Sequence, residues 1–229
     1  MTDYRIGADE AGKGPVLGPM VAAAVRADPD DLPADVADSK ELSESIRESI
    51  ATELRESPAV EVGVGVITTG EIDDPETDMN SLTVTAQVRA IRGVASDGDH
   101  AIVDAGDVSE SRFARRVQDG VGGGENVADC DGERGIAIDV KAKHGADESN
   151  RLVGAASVVA KVERDRRIAD IAEKYEADIG SGYPSDPTTR EFLADYVDRH
   201  GDLPGCARRS WATAEDVLAA AEQSDLADF

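Results

Sequence analysis

Two hydrophobic rhythms alternate along the chain, one repeating every second residue and one every three to four. Residues 3–8 and 15–26 read as strands joined by a glycine-rich turn, the second dense in alanine and valine. A loop covers residues 28–33. Leu42, Ile46, Ile50 and Leu54 then recur every four positions, predicting one face of a helix that Asp38 or Ser39 is placed to cap. Residues 60–68 alternate as a strand, and residues 80–94 read as a helix through Leu82, Val84, Val88 and Ile91. Residues 100–104 form a short apolar strand ending in Asp104. A helix over 109–117, a Gly/Asp-rich loop over 118–134 and a strand over 135–141 follow. One long helix is predicted over 148–179, with Leu152, Ala155, Ala156 and Val159 on one face. After a sharp loop at 180–186, Thr188 with Glu191, and Thr213 with Asp216, have capping-box spacing for two last helices. Strands alternating with helices imply an α/β fold with hairpin strands near the N-terminus. A single domain over residues 1–222 and a mobile tail over 223–229 are expected.

Composition sharpens this picture. In 229 residues, 40% are hydrophobic, enough for a sizeable core, and 48 acidic residues outnumber 24 basic ones. Lysine occurs only at positions 13, 40, 141, 143, 161 and 174. Acidity of this kind accompanies disorder when apolar periodicity is missing; here the periodicity runs throughout. A folded protein adapted to a very salty interior fits better, because at molar salt the Debye length is about 3 Å and surface self-repulsion is screened. The same salt removes most of the counterion-release drive that makes nucleic-acid binders basic, so a nucleic-acid partner is not excluded. No apolar run of about eighteen residues is present, so no membrane span is predicted. No basic, then apolar, leader precedes residue 10, and a cytoplasmic location is expected. Cys130 and Cys206 have no metal-site spacing and read as reduced thiols.

The candidate chemistry lies in acids placed at strand ends. Asp9 and Glu10 close the first strand and precede glycines 12, 14 and 18. Adjacent strand residues point to opposite faces, so two cooperating carboxylates call for an irregular backbone there, which glycine can supply. A solvated surface pair is the bland alternative. Asp104 ends a buried strand, where a carboxylate is costly unless paired or metal-bound. Asp147, just before the long helix, suits an N-cap, a ligand, or both.

Taken together, GADEAGKGPVLGP (7–19), DSKELS (38–43), VDA (103–105), KAKHGAD (141–147), GAASVVAKVERD (154–165), GSGYPSD (180–186) and RRSW (208–211) follow one another in an order that resembles ribonuclease HII, the type 2 ribonuclease H family, of a salt-adapted archaeal type. The resemblance spans residues 3–212. It implies a ribonuclease H-like mixed β-sheet flanked by helices with a helical C-terminal extension. It also implies endonucleolytic hydrolysis of RNA in RNA–DNA hybrids, and at ribonucleotides embedded in duplex DNA. Asp9, Glu10, Asp104 and Asp147 map onto the family's four carboxylates, which hold two Mg2+ or Mn2+ ions and leave 5′-phosphate and 3′-hydroxyl ends. Gly12, Lys13 and Gly14 map onto its Gly-Arg-Gly loop, which probes the ribose 2′-hydroxyl through backbone groups. Lysine keeps the charge of the family's arginine but not its planar fork. Tyr183 resembles the tyrosine that packs on the nucleotide past the cut, and Ser39 and Lys40 resemble phosphate contacts. Lys161 either faces the site or snorkels from its helix. His144 reads as a loop or packing residue, or a helper near Asp147, and Trp211 as packing for the last helix.

Type 3 ribonuclease H shares the carboxylates but carries an additional N-terminal domain, which favours type 2 for a chain that opens on the catalytic strand. A hybrid-binding protein with a dead site is disfavoured because all four acids are present. No DxDxDG loop supports a calcium module. In the tail, Gln223, Leu226 and Phe229 stand at i, i+3 and i+6, resembling the sliding-clamp peptide of replication and repair proteins; one helical turn would present Leu226 and Phe229 together. A monomer that binds a clamp through this segment is expected.

Overall fold

The computed structural model describes residues 5–34, 36, 42–124 and 135–227. Five strands, β1 (Arg5–Ala11), β2 (Met20–Ala27), β3 (Glu61–Ile67), β4 (His100–Asp104) and β5 (Asp139–Lys143), form one sheet in the order β3-β2-β1-β4-β5. β1 is antiparallel to β2, with Asp9 opposite Ala23, and parallel to β4, with Ala8 opposite Val103. β4 is in turn parallel to β5. The helices are α1 (Glu44–Glu56), α2 (Thr69–Ile72), α3 (Met79–Arg92), α4 (Glu110–Val121), α5 (Ala146–Ser149), α6 (Arg151–Tyr175), α7 (Pro187–His200) and α8 (Ala212–Ala227). The expected mixed sheet flanked by helices, with a helical C-terminal part, is the observed fold.

Packing divides the chain into two units. The first comprises Met1–Ala11, Val21–Ile67 and Met79–Glu163, and contains the sheet. On one face, Ala23, Val25 and Ala27 of β2 pack with Ile50 and Leu54 of α1 and with Leu152, Ala155 and Val159 of α6. Each fully buried Leu, Ile or Val contributes about 1.5–3 kcal/mol through surface removed from water. α3 lies directly on β3, where a Cβ at Gly63 or Gly65 would overlap the carbonyl oxygens of Ala90 and Ala86. Glycine is needed there for close approach rather than for an unusual φ.

The second unit comprises Gly12–Met20, Thr68–Asp78 and Arg164–Phe229. Its core gathers Val16, Leu17, Ile168, Ile179, Phe192, Leu193 and Val197. Residues 15–19 were expected to belong to a strand; β2 instead begins at Met20. Pro15 and Pro19 lack an amide donor and Gly18 has φ 79°, so the ladder cannot extend across them. Val16 and Leu17 use their N–H groups on the Gly182 carbonyl at 2.8 and 3.1 Å instead.

Several helix boundaries also differ from the pattern reading. α1 starts at Glu44 with Ser43 at its N-cap; Asp38 and Ser39 lie outside the described residues. Ile50 and Leu54 of the predicted stripe are buried, but Ile46, a turn earlier, is exposed. The long helix is broken at Asn150, whose side-chain oxygen accepts from the N–H groups of Leu152 and Val153 at 3.0 and 3.3 Å and caps α6. α7 is capped by Asp186, which accepts from Thr188 N at 3.0 Å with Pro187 in the first turn, rather than by the predicted Thr188–Glu191 box. β5 begins at Asp139, four residues later than the pattern suggests.

Candidate active site

β1 and β4 run side by side and in the same direction, so Asp9 and Asp104, each one residue beyond the paired Ala8 and Val103, sit at the same end of the sheet. β1 remains regular through Ala11, and the expected backbone irregularity begins only at Gly12, where φ is 87°. Asp9 and Glu10 therefore point to opposite faces of the sheet. Asp9 is buried and looks toward Ser157 of α6, whose hydroxyl lies beside it but outside good hydrogen-bond geometry. Glu10 points to α3, where Gln87 Nε2 donates to its Oε2 at 2.8 Å.

Asp147 lies within the first turn of α5, not at its cap, which is Gly145 in the left-handed region with φ 62°. The start of α5 is tied to β4 because Ala146 N donates to Asp104 Oδ1 at 2.7 Å. This contact brings Asp147, itself buried, toward the acidic strand ends. Burial, more than any neighbour, pushes the Asp9 carboxyl up to about 6 from 3.8; the charges of Asp104 and Asp147 add to the rise. Ser157 and the Glu10 N–H, which donates to Asp9 Oδ1 at 2.7 Å, oppose it.

The structure thus brings Asp9, Asp104 and Asp147 into one electrostatic cluster, with Glu10 joined to it through Gln87. Among the described residues, no three His, Cys, Asp or Glu side chains converge as a finished ligand set. The donors are nevertheless all hard carboxylate oxygens, and burial first, then the charges of Asp104 and Asp147, disfavour an ionised Asp9 without a cation beside it. Both features suit an oxygen-seeking divalent cation.

The second unit holds the Gly12–Gly14 loop. Arg208, fully buried, donates to three backbone carbonyls: Gly12 at 2.6 Å, Lys13 at 3.0 Å and Gly18 at 3.0 Å. Trp211 Nε1 donates to the Gly14 carbonyl at 3.2 Å and stacks against the Arg208 guanidinium at 5.0 Å. Across a trans peptide the N–H points opposite to the C=O, so the N–H groups of Lys13 and Gly14 are directed away from Arg208. Burial lowers the Arg208 pKa to about 10, which leaves it charged at neutral pH.

Tyr183 is exposed, with Arg164 packed against its ring at 5.2 Å. Arg164 is buried, donates to Ser181 O at 2.9 Å and occupies the space a Cβ at Gly12 would need. Sequence reasoning assigned nothing to Arg164 or Gln87 and treated Trp211 as packing alone. Arg164 and Arg208 stand within quoted motifs, but only three-dimensional contacts reveal their targets. His144 bonds away from Asp147, through Nε2 to Asp107 O at 2.7 Å and Nδ1 to Glu110 at 3.1 Å. Lys161 is half-buried on α6. Ser39, Lys40, Phe229 and the Leu226 side chain lie outside the described residues, while Gln223 is exposed on α8.

A mixed sheet whose central parallel strands end in clustered, partly buried carboxylates is the architecture of the ribonuclease H-like nucleases. A family profile for ribonuclease HII matches residues 6–214. A ribonuclease HII from Haloarcula marismortui is 58% identical, covering 98% of this chain and all of its own. Among solved structures, ribonuclease H2 from Pyrococcus horikoshii superposes with a TM-score of 0.82 at 34% identity, covering 96% of this chain and 99% of that one. The ribonuclease HII in a complex with PCNA from Archaeoglobus fulgidus gives 0.76 at 35% identity, covering 92% and 95%. The chain belongs to the ribonuclease HII family, and it is of the halophilic archaeal type, with relatives 58% and 54% identical from Haloarcula marismortui and Halobacterium salinarum. It is an endoribonuclease of a family that cleaves RNA within RNA–DNA hybrids. No helix among the described residues is long and apolar enough to cross a membrane.

Proposed function

We propose that this enzyme hydrolyses the RNA strand of RNA–DNA hybrids, and duplex DNA at embedded ribonucleotides, using Asp9, Glu10, Asp104 and Asp147 with two Mg2+ or Mn2+ ions. The observation that carries the reading is the partly buried, mutually repelling carboxylate cluster at the ends of β1 and β4 and in the first turn of α5. These four residues would hold the metals. Bound divalent ions supply Lewis acidity for water at neutral pH and offset charge on the departing oxygen. The products would be a 5′-phosphate and a 3′-hydroxyl. Asp9 stores the charge that makes cation binding favourable, and the Ala146 N–H fixes the orientation of the Asp104 carboxylate.

Recognition of the ribose rests on Gly12, Lys13 and Gly14. Their carbonyls are held by Arg208 and Trp211, which fixes the loop backbone that would read a ribose hydroxyl or phosphate. The exposed ring of Tyr183, backed by Arg164, offers a stacking face worth about 1–3 kcal/mol per base. Ser39 and Lys40 would contact the phosphate backbone. Gln223, Leu226 and Phe229 would engage a sliding clamp, supported by the PCNA complex of the Archaeoglobus relative.

The test is cleavage of a duplex carrying one ribonucleotide, mapped at nucleotide resolution in molar KCl with Mg2+ or Mn2+ and with chelator. Cutting at the ribonucleotide should require metal and be nearly abolished in Glu10→Gln, Asp104→Asn and Asp147→Asn. A folded variant that cuts at the wild-type rate would remove that residue from the site.

A further inference from the structure

Gln87 lies in the middle of α3 with no exposed surface. Its amide nitrogen donates to Glu10 Oε2 at 2.8 Å and to the Asp104 carbonyl oxygen at 3.1 Å. A side-chain amide has two N–H donors, and both are committed here. Its own oxygen, Oε1, is buried and has no hydrogen-bond partner among the described residues. The orientation of the amide is therefore decided by its surroundings. Turning it over would set an oxygen against a carboxylate and a carbonyl, with acceptor facing acceptor on both sides.

This is an expensive residue for the core. The other buried residues of α3 are Leu82, Val84, Ala86, Val88, Ala90 and Ile91, with Thr83 and Thr85, whose hydroxyls donate to the Met79 and Ser81 carbonyls of the same helix. A leucine at position 87 would fill comparable volume without stranding a polar oxygen away from water. What glutamine supplies and leucine cannot is a two-pronged donor joining the end of β1 to the end of β4. The need for it follows from strand geometry. Glu10 leaves β1 on the face opposite Asp9, and its long side chain has several rotamers open to it. The hydrogen bond from Gln87 selects one of them. The second bond ties that choice to the backbone of Asp104, another acid of the cluster.

We infer that Gln87 is a positioning residue that holds the Glu10 carboxylate in register with the end of β4, so that Glu10 and Asp104 bind a divalent cation together. The inference rests on the proposed metal role of those two acids. Partners of this kind, one step removed from a metal, typically change metal affinity 10–100-fold when removed.

The experiment uses the full chain in molar KCl without nucleic acid. Mg2+ alone, and Mn2+ alone, are titrated calorimetrically into wild type, Gln87→Leu, Glu10→Gln and the double variant, with melting followed in chelator. Gln87→Met, which keeps the unbranched shape, is read alongside in case leucine packs poorly. Gln87→Leu should weaken metal binding by about tenfold and raise the Mg2+ needed for half-maximal cleavage by a similar factor. Its melting temperature in chelator should hold or rise, which a merely structural glutamine would not allow. The double variant should bind metal no worse than Glu10→Gln, because Gln87 acts through Glu10. Wild-type metal affinity in both Gln87 variants, or losses that multiply in the double variant, would overturn the inference. Wild-type affinity and cleavage in Glu10→Gln would instead overturn the metal role of Glu10 itself, so the two failures are distinguishable.

Discussion

Replacing Asp9 by asparagine removes a negative charge from a place where the fold resists it. Burial and the neighbouring Asp104 and Asp147 raise the Asp9 pKa from 3.8 to about 6. At about 1.36 kcal/mol per pH unit, ionised Asp9 costs the folded state about 3 kcal/mol without metal. Because the folded-state pKa lies above the unfolded one, this cost is absent below the unfolded pKa of 3.8. It grows as pH rises and is complete above about 6. Asparagine keeps an oxygen to accept the Glu10 N–H, so the local hydrogen bond at 2.7 Å survives. In chelator and molar KCl, Asp9→Asn should therefore melt above wild type by about 6–12 °C near neutral pH, using about 2–4 °C per kcal/mol for a chain of this size. The difference should vanish as pH falls toward 4. Added Mg2+ should narrow it at neutral pH, since a ligand that binds only the folded wild type restores stability by mass action. Thermal melts by circular dichroism over this pH range, with and without metal, make the comparison. A variant that melts at or below wild type at neutral pH in chelator would refute the argument that the acidic cluster is strained by charge.

Three further outcomes are expected. With 48 acidic against 24 basic residues, the melting temperature should climb between about 0.1 M and about 3 M KCl as self-repulsion is screened, and a flat profile would contradict the salt-adapted reading. Arg208→Lys cannot reproduce a guanidinium that serves three carbonyls and stacks on Trp211. It should lower stability by about 2 kcal/mol and reduce ribonucleotide-over-DNA discrimination by raising KM more than it lowers kcat; unchanged discrimination would separate Arg208 from recognition. Deleting residues 223–229 should abolish clamp binding in a pull-down or calorimetric assay while hybrid cleavage persists, and undiminished binding would rule the motif out.

Much of this molecule could be read before its structure. Asp104 closes an apolar run, so its strand was visible as a hydrophobic pattern and its acid as an anomaly within it. Strand and helix periods identified an α/β fold with hairpin strands near the N-terminus, and the ordered motifs identified the family and with it the mixed sheet, because both are written in local sequence. Pattern failed where tertiary packing competes with local preference. Residues 15–19 are apolar enough for a strand, yet Pro15, Gly18 and Pro19 deny the ladder, and Val16 and Leu17 join another core. Asn150 breaks a helix whose apolar stripe runs on, because its side chain satisfies two amide groups better than continued helix would. Adjacent acids at 9 and 10 suggested a distorted backbone; the strand is regular, and the two side chains part to α6 and α3. The supports of the site were legible least of all. Gln87 and Arg208 are ordinary letters in a helix and a basic pair. Their partners are 77 and 196 residues away for the bonds to Glu10 and Gly12, so only the folded chain could reveal what their donors hold.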